Sequence, residues 1–166
     1  EAREKMHNAS TMAGMAFANA FLGMSHSMAH KIGAVHHTVH GRTNAILLPY
    51  VIRYNGTRPS KTTTWPKYNY WKADEKFQDI ARMLGLPHST PEEAVEAYAK
   101  AVYDLGVAVG IKMNFKDQGI DEKTWKDSLH EIALLAYEDQ CSPANPRLPM
   151  VADMEEIMAD AYYGYA

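Results

Sequence analysis

Five of the eight histidines in this 166-residue chain lie within the fifteen positions from 26 to 40. They are His26, His30, His36, His37 and His40. Neutral imidazole is the commonest ligand that proteins offer to transition metals, whereas protonated imidazoles crowded together repel one another. The cluster therefore predicts a metal site. No cysteine stands beside these histidines to complete a closed structural zinc site, so a catalytic site is favoured.

The spacing of the histidines suggests how two of them meet. His26 and His30 are four residues apart, so on a helix they share one face. His40 lies beyond a turn, at the start of the next helical run, where its ring can face back toward the preceding helix. Ligands from two elements leave coordination positions open, as a catalytic metal requires. On spacing alone, packed or surface histidines remain an equally open interpretation. The zinc-peptidase pattern needs a glutamate where Ser27 stands, so that class is disfavoured.

The rest of the chain is predicted to be all-α. Apolar residues recur at helical spacing, no strand-like alternation repeats, and no glycine-rich dinucleotide-binding motif occurs. The first helix, rich in small residues, is predicted to be buried on most sides. Gly33 is the predicted left-handed cap of the second helix, and residues 56–70 are predicted to be irregular. The predicted helices cover about 2–22, 24–32, 41–54 and 72–84, runs beginning near Pro91 and Asp121, and 151–163.

Composition excludes several functions. The 20 acidic and 17 basic residues are interleaved and leave a net charge of −3, so no basic surface for nucleic acid is predicted. No apolar run approaches the roughly 20 residues that span a membrane. The single cysteine, Cys141, excludes an internal disulfide and favours the cytoplasm. The chain has the length of one domain, and its start at Glu1 without methionine suggests a piece of a longer protein.

Several segments resemble the iron-dependent alcohol dehydrogenases, over essentially the whole chain. The C-terminal segments are most similar to the branch in which a CoA-dependent aldehyde dehydrogenase precedes the alcohol dehydrogenase, the bifunctional aldehyde–alcohol dehydrogenases. The segments that carry the resemblance are Ala2–Ser10, Ala13–Ala20, His26–His30, His40-Gly41, Asn44-Ala45, Leu48-Pro49, Glu138–Cys141, Ala144–Arg147 and Tyr162–Gly164.

The resemblance implies that residues 1–166 form a helical metal- and substrate-binding domain, with the dinucleotide-binding region upstream. It implies that His26 and His40 are two of four metal ligands, the other two being an aspartate and a histidine upstream. His30 matches a histidine near the nicotinamide with a catalytic proton-relay or positioning role. Phe17 matches an aromatic residue that lines the substrate pocket.

The implied activity is the interconversion of acetaldehyde and ethanol in fermentation, with NAD(H) as cosubstrate in the intact parent. The implied metal is Fe²⁺, although this donor set also suits zinc. The expected partners are a small alcohol or aldehyde, the missing N-terminal part of the same protein and further copies of it in an oligomer or filament. With only two of the ligands, the fragment alone is expected to be inactive.

A second hypothesis comes from a different class of function. The chain would then be a non-catalytic structural or assembly module of a filament-forming protein, with its histidines merely packed. The aromatic end from Tyr162 to Tyr165 would make the contacts.

The chain departs from the pattern of the resembled family in two places. Val39 replaces the proline that usually precedes the last ligand histidine, and Arg42-Thr43 replaces small apolar residues. Loss of the proline is expected to free the turn before His40.

Overall fold

The computed structural model describes residues 1–59 and 71–164, and within these ranges the chain is helical and has no strand. The predicted all-α fold class is confirmed. The stretch 60–70, most of the segment predicted to be irregular, and Tyr165 lie outside the described residues. The helices are α1 (Ala2–Ala20), α2 (Met24–His36), α3 (His40–Gly56), α4 (Ala73–Met83), α5 (Pro91–Ala108), α6 (Glu122–Tyr137) and α7 (Val151–Tyr163), with a 3₁₀ turn at Ser142–Ala144.

Helices α2, α3, α6 and α7 surround the main core, which we call the packed core. Each helix contributes large apolar side chains at three-to-four spacing, so that one face is removed from water. Helices α4 and α5 pack on the far end of α3 around a smaller cluster that includes Ile52 and Val95. Large side chains that are almost fully buried in the packed core include Met24, Met28, Ile32, Ile46, Leu47, Phe115, Trp125, Ile132, Met154, Met158 and Tyr162.

Helix α1 corrects the prediction that it would be buried. None of its residues is buried, and the exposed fractions of Met6, Met12 and Met15 are 69%, 69% and 64%. The small side chains of α1 allow close packing, but no helix in the described part of the chain covers them. None of the described helices, α1 included, is long and apolar enough to cross a membrane.

Helix α2 extends beyond its predicted end. Gly33 lies inside the helix, and the residue in the left-handed conformation is His37, with φ 54°. Glycine costs about 1 kcal/mol in a helix interior. Burial of Ile32 and packing of the His36 ring on Trp125, with centroids 5.2 Å apart, favour the extra turn. The turn that leads to His40 is consequently only three residues long.

The starts of α5 and α6 follow the cap residues in the sequence. Thr90 Oγ1 accepts the N–H of Glu93 at 3.2 Å, and Pro91 occupies the first helical position. Asp121 Oδ2 accepts the N–H of Thr124 at 3.0 Å. These bonds satisfy amide groups that the first turn of a helix leaves free.

Candidate active site

Three of the clustered histidines come together on one face of the packed core. The ring centroids of His26 and His40 are 5.3 Å apart, those of His30 and His40 are 5.3 Å apart, and those of His26 and His30 are 6.2 Å apart. His26 and His30 occupy successive turns of α2, whereas His40 is the first residue of α3. The short turn between the helices therefore brings the last histidine back to the other two.

The spacing of His26 and His40 fits a shared metal ion. Because a metal–nitrogen bond measures about 2.1 Å, two imidazoles on one ion have ring centroids about 5 Å apart. The observed separation is 5.3 Å. His26 is half-buried and His40 is exposed, so an ion held by both would lie at the surface of this domain. Further ligands and a substrate could then approach from outside.

The surroundings of His26 favour its neutral form. Burial, followed by the neighbouring rings of His40 and His30, lowers the pKa of His26 from its ordinary value. A histidine must be neutral to coordinate a metal. The arrangement therefore suits a ligand as well as a packed ring.

Asn44 forms a hydrogen bond with one ring nitrogen of His40. Its Nδ2 donates to the His40 Nε2 at 3.2 Å and to the His40 carbonyl at 3.2 Å, while its Oδ1 accepts the hydroxyl of Ser25 at 3.0 Å. In the tautomer with a lone pair on Nε2, Asn44 occupies the position that an ion would take on this nitrogen. Binding of an ion through Nε2 would require the Asn44 amide to move away.

His30 has a different partner. Its Nδ1 lies 3.3 Å from Asp139 Oδ2, which is also 2.9 Å from the Lys31 ammonium. The other carboxylate oxygen accepts the Cys141 N–H at 3.0 Å. Burial acts to raise the pKa of Asp139, but the bonds from the Cys141 amide, Lys31 and His30 outweigh it and hold that pKa well below its usual range. Asp139 is therefore a stable anion beside the imidazole.

A second donor set adjoins this anion. Ligand atoms of His30, Asp139 and Cys141 lie within 4.8 Å of one another. Burial, with Asp139 beside the thiol, raises the pKa of Cys141 to about 11. Metals bind the thiolate, and the Asp139 oxygen is already paired with Lys31. This set therefore suits a metal less well than the two-helix pair of His26 and His40.

A buried amide pair sets the start of α2. Asn145 Oδ1 accepts the Met24 N–H and the Asn55 Nδ2, both at 3.3 Å. Asn145 Nδ2 donates to Asn55 Oδ1 at 2.7 Å and to the Arg147 carbonyl at 2.6 Å. A Cβ on Gly23 would lie 2.8 Å from Asn145 Oδ1, so only glycine fits there without a shift. The network joins α2, α3 and the proline-containing loop, and it positions the turn that carries His26.

The turn before His40 is held although its proline is missing. Val39 has φ −71°, a value that proline would also adopt. Thr43 is buried, and its hydroxyl bonds the Val39 carbonyl at 3.1 Å and the Thr38 hydroxyl at 2.7 Å. The hydroxyl of Thr43 therefore restrains the turn that loss of the proline was expected to free. Thr43 belongs to the Arg42-Thr43 pair, which also departs from the family pattern.

Phe17 is not joined to the histidines by this structure. It lies on α1 with 47% of its surface exposed, and its substrate-binding role stays a prediction. His36 is held within the fold, since its Nε2 lies 3.1 Å from the Ser128 hydroxyl. His130 pairs with Glu155 at the surface.

Sequence reasoning did not find the polar residues that surround the histidines. No spacing rule connects Asp139 or Asn145 with residues more than a hundred positions earlier, and Asn44 was noted only as part of a resemblance. The one available signal was that Asp139 and Asn145 stand in two segments that resemble the same family.

Fold and site together define an all-helical domain with a histidine-rich face that opens outward. Residues 1–162 match the model described as "Fe-containing alcohol dehydrogenase family, C-terminal". The chain therefore belongs to the Fe-containing alcohol dehydrogenase family. The predicted resemblance is confirmed, including its emphasis on the bifunctional branch.

Curated relatives are much longer than this chain. The aldehyde-alcohol dehydrogenase of Streptococcus pneumoniae serotype 2 is 81% identical over 163 residues, which are 98% of this chain and 18% of that protein. Aldehyde-alcohol dehydrogenase 2 of Entamoeba histolytica is 60% identical over 166 residues, 100% of this chain and 19% of that protein. The bifunctional aldehyde-alcohol dehydrogenase AdhE of Escherichia coli K12 is 39% identical over 166 residues, 98% of this chain and 19% of that protein. This chain thus corresponds to less than a fifth of each of these three relatives.

Solved structures share the fold. A 1,3-propanediol oxidoreductase matches with a TM-score of 0.81 at 33% identity, over 97% of this chain and 38% of that one. An iron-containing alcohol dehydrogenase from Thermococcus thioreducens matches with a TM-score of 0.79 at 33% identity, over 99% of this chain and 38% of that one.

Proposed function

We propose that this chain is the metal- and substrate-binding half of an iron-dependent alcohol dehydrogenase that interconverts acetaldehyde and ethanol with NAD(H). The intact protein would be a bifunctional aldehyde–alcohol dehydrogenase. The observation that carries the proposal is the approach of His26 and His40 from two helices to a centroid separation of 5.3 Å. Membership of an Fe-containing family supports iron as the ion.

Each histidine has a distinct role in this proposal. His26 and His40 would hold the ion, and its other ligands would come from the rest of the protein. Bound divalent iron would supply Lewis-acid polarisation of the alcohol or carbonyl oxygen. His30, beside both rings but tied to Asp139, would accept or return the proton of the alcohol. Phe17 would line the substrate pocket.

The remainder of the longer protein would cover α1. This helix exposes Met6, Met12, Met15 and Phe17 along its length, and a helix that exposes large apolar side chains usually meets a partner surface. Relatives that match this chain extend far beyond it. We infer that the missing part of the same protein packs on α1, brings the upstream ligands and the cofactor to the open face, and makes the isolated chain inactive.

The alternative, a non-catalytic assembly module, has less support. It depends on the aromatic C-terminal end, but Tyr162 is buried and its hydroxyl donates to the Ile120 carbonyl at 2.9 Å. Tyr163 is exposed, and its hydroxyl donates to Glu122. Of these two tyrosines, Tyr163 alone offers a surface for contacts between copies. Assembly into oligomers or filaments remains compatible with catalysis.

The test is His26→Ala in the intact enzyme. We expect iron content and ethanol oxidation to fall together, because the ion loses one of its few ligands. The affinity for iron should fall at least tenfold, and the rate of ethanol oxidation should fall further. His130→Ala is the matched control, since His130 is exposed and lies away from the cluster. Metal content is measured by mass spectrometry and activity by NADH formation.

Retention of ethanol oxidation by His26→Ala would contradict the proposal. A wild-type enzyme without stoichiometric transition metal, in a preparation that oxidises ethanol, would contradict the metal assignment. Loss of aldehyde dehydrogenase activity in the same variant would point instead to a general folding defect.

A further inference from the structure

We propose that Asp139 is a positioning residue that sets the orientation and tautomer of His30. The inference rests on the proposed function, because Asp139 would act on the reaction only through His30. It concerns the loop after α6, in which Asp139 lies 109 residues after His30.

Asp139 is built to hold a fixed position. Only 8% of its side chain is exposed, and Oδ1 accepts the Cys141 N–H at 3.0 Å. Oδ2 lies 2.9 Å from the Lys31 ammonium and 3.3 Å from Nδ1 of His30. The bond to the Cys141 amide, within the same loop, restricts rotation of the carboxylate even without the Lys31 ammonium. The carboxylate therefore presents Oδ2 to the imidazole.

The chemistry of Asp139 determines the form of the ring. A carboxylate only accepts hydrogen bonds, so Nδ1 of His30 must carry the proton that joins them. In the neutral ring, Nε2 is then the acceptor. No hydrogen bond to Nε2 from residues 1–59 or 71–164 competes for it, and the His30 side chain is 36% exposed. The free lone pair is therefore available on the side of the ring away from Asp139.

This arrangement differs from that of His40. His40 accepts a hydrogen bond from the neutral amide of Asn44, whereas His30 donates to an anion. The ring centroids of these two histidines are only 5.3 Å apart, yet His40 bonds a hydrogen-bond donor and His30 bonds an acceptor. A proton-handling group needs a defined acceptor nitrogen, and a carboxylate behind a histidine supplies one.

The first experiment replaces Asp139 by asparagine in the intact, iron-loaded enzyme. The amide can present either its oxygen or its NH₂ group to Nδ1, so the tautomer is no longer imposed. We expect kcat for ethanol oxidation to fall roughly 10- to 100-fold, the range for loss of such a partner. KM for ethanol and iron content are expected to stay within about twofold. Glu138 is the exposed neighbouring acid, and Glu138→Gln is the matched control, which should retain wild-type kcat.

A double-mutant cycle separates positioning from support of the fold. If Asp139 acts through His30, Asp139→Asn has no further effect on kcat once His30→Ala is present. If the two losses multiply, Asp139 acts independently of His30 and the inference is overturned. Wild-type kcat in Asp139→Asn overturns it as well.

A folding defect in Asp139→Asn is answered by Lys31→Met. This variant removes the ion pair that supports Asp139 but leaves the carboxylate to bond His30. We expect a lower midpoint of thermal unfolding with kcat within about threefold of wild type. A tenfold loss of kcat in Lys31→Met would show that the ion pair, rather than the bond to His30, matters, and would overturn the inference. All these variants are expected to keep their iron, because none removes a proposed ligand, so their failure is distinguishable from that of the metal proposal, which His26→Ala tests.

Discussion

Helix α1 and the packed core have similar residues but opposite environments. Both are rich in methionine and alanine. Met28 of α2 is completely buried, whereas Met12 of α1 is 69% exposed. The difference lies in the neighbours: α2 packs against α3 and α6, while in the described part of the chain α1 has no buried residue. Residue type alone did not decide burial. The available partner surface did.

The largest expected effect compares one substitution in the two regions. Met28→Ala should lower the free energy of unfolding of this chain by roughly 2–5 kcal/mol, because it opens a cavity among fully packed side chains. Met12→Ala should change it by less than about 0.5 kcal/mol, as for most surface positions. Urea unfolding followed by circular dichroism measures both. Equal losses would mean that α1 packs on the core in solution.

A second pair of variants compares Gly23, which precedes α2, with Gly33, which lies inside it. Gly23→Ala should destabilise the chain by about 1–3 kcal/mol, because its Cβ would come within 2.8 Å of the firmly held Asn145 amide. Gly33→Ala should stabilise it by about 0.5–1 kcal/mol, because Gly33 lies inside α2 and its Cβ would meet the Thr38 carbonyl at an ordinary 3.5 Å.

The readout for the two glycine variants is again the midpoint of urea unfolding. A destabilising Gly33→Ala would restore the original prediction that Gly33 caps α2. A neutral Gly23→Ala would show that the Asn145 network can relax.

The smallest effect concerns the turn before His40. Val39→Pro should be tolerated and should stabilise the chain by about 0.4–1 kcal/mol, because φ is already −71° and no described residue accepts a backbone hydrogen bond from the Val39 N–H. Thr43→Val is the complementary variant, since it removes the hydroxyl that holds the same turn. Differential scanning calorimetry of the two single variants and the double variant measures their coupling. If Val39→Pro destabilises the chain, the turn does not have the backbone that a proline requires.

Much of the fold could be predicted from local signals. Thr90 and Asp121 mark helix starts because their side chains satisfy amides within three residues, and such signals act over a few positions only. The end of α2 was predicted wrongly at Gly33. There the local preference of glycine competed with the packing of Ile32 and His36, and the packing prevailed.

The candidate site, like the fold, could be predicted from the sequence only where its residues are close in the chain. The sequence shows the cluster of five histidines and the resemblance to the family. It also allowed the approach of His26, His30 and His40 to be predicted, because these residues lie on two adjacent helices joined by one short turn. Their metal and catalytic roles stay proposals. Only the tertiary structure placed Asp139 against His30, Asn145 beneath the first turn of α2, and α1 away from the core. The first two depend on contacts between residues far apart in the chain, and the third on the lack of a covering surface among the described residues. No local pattern encodes either.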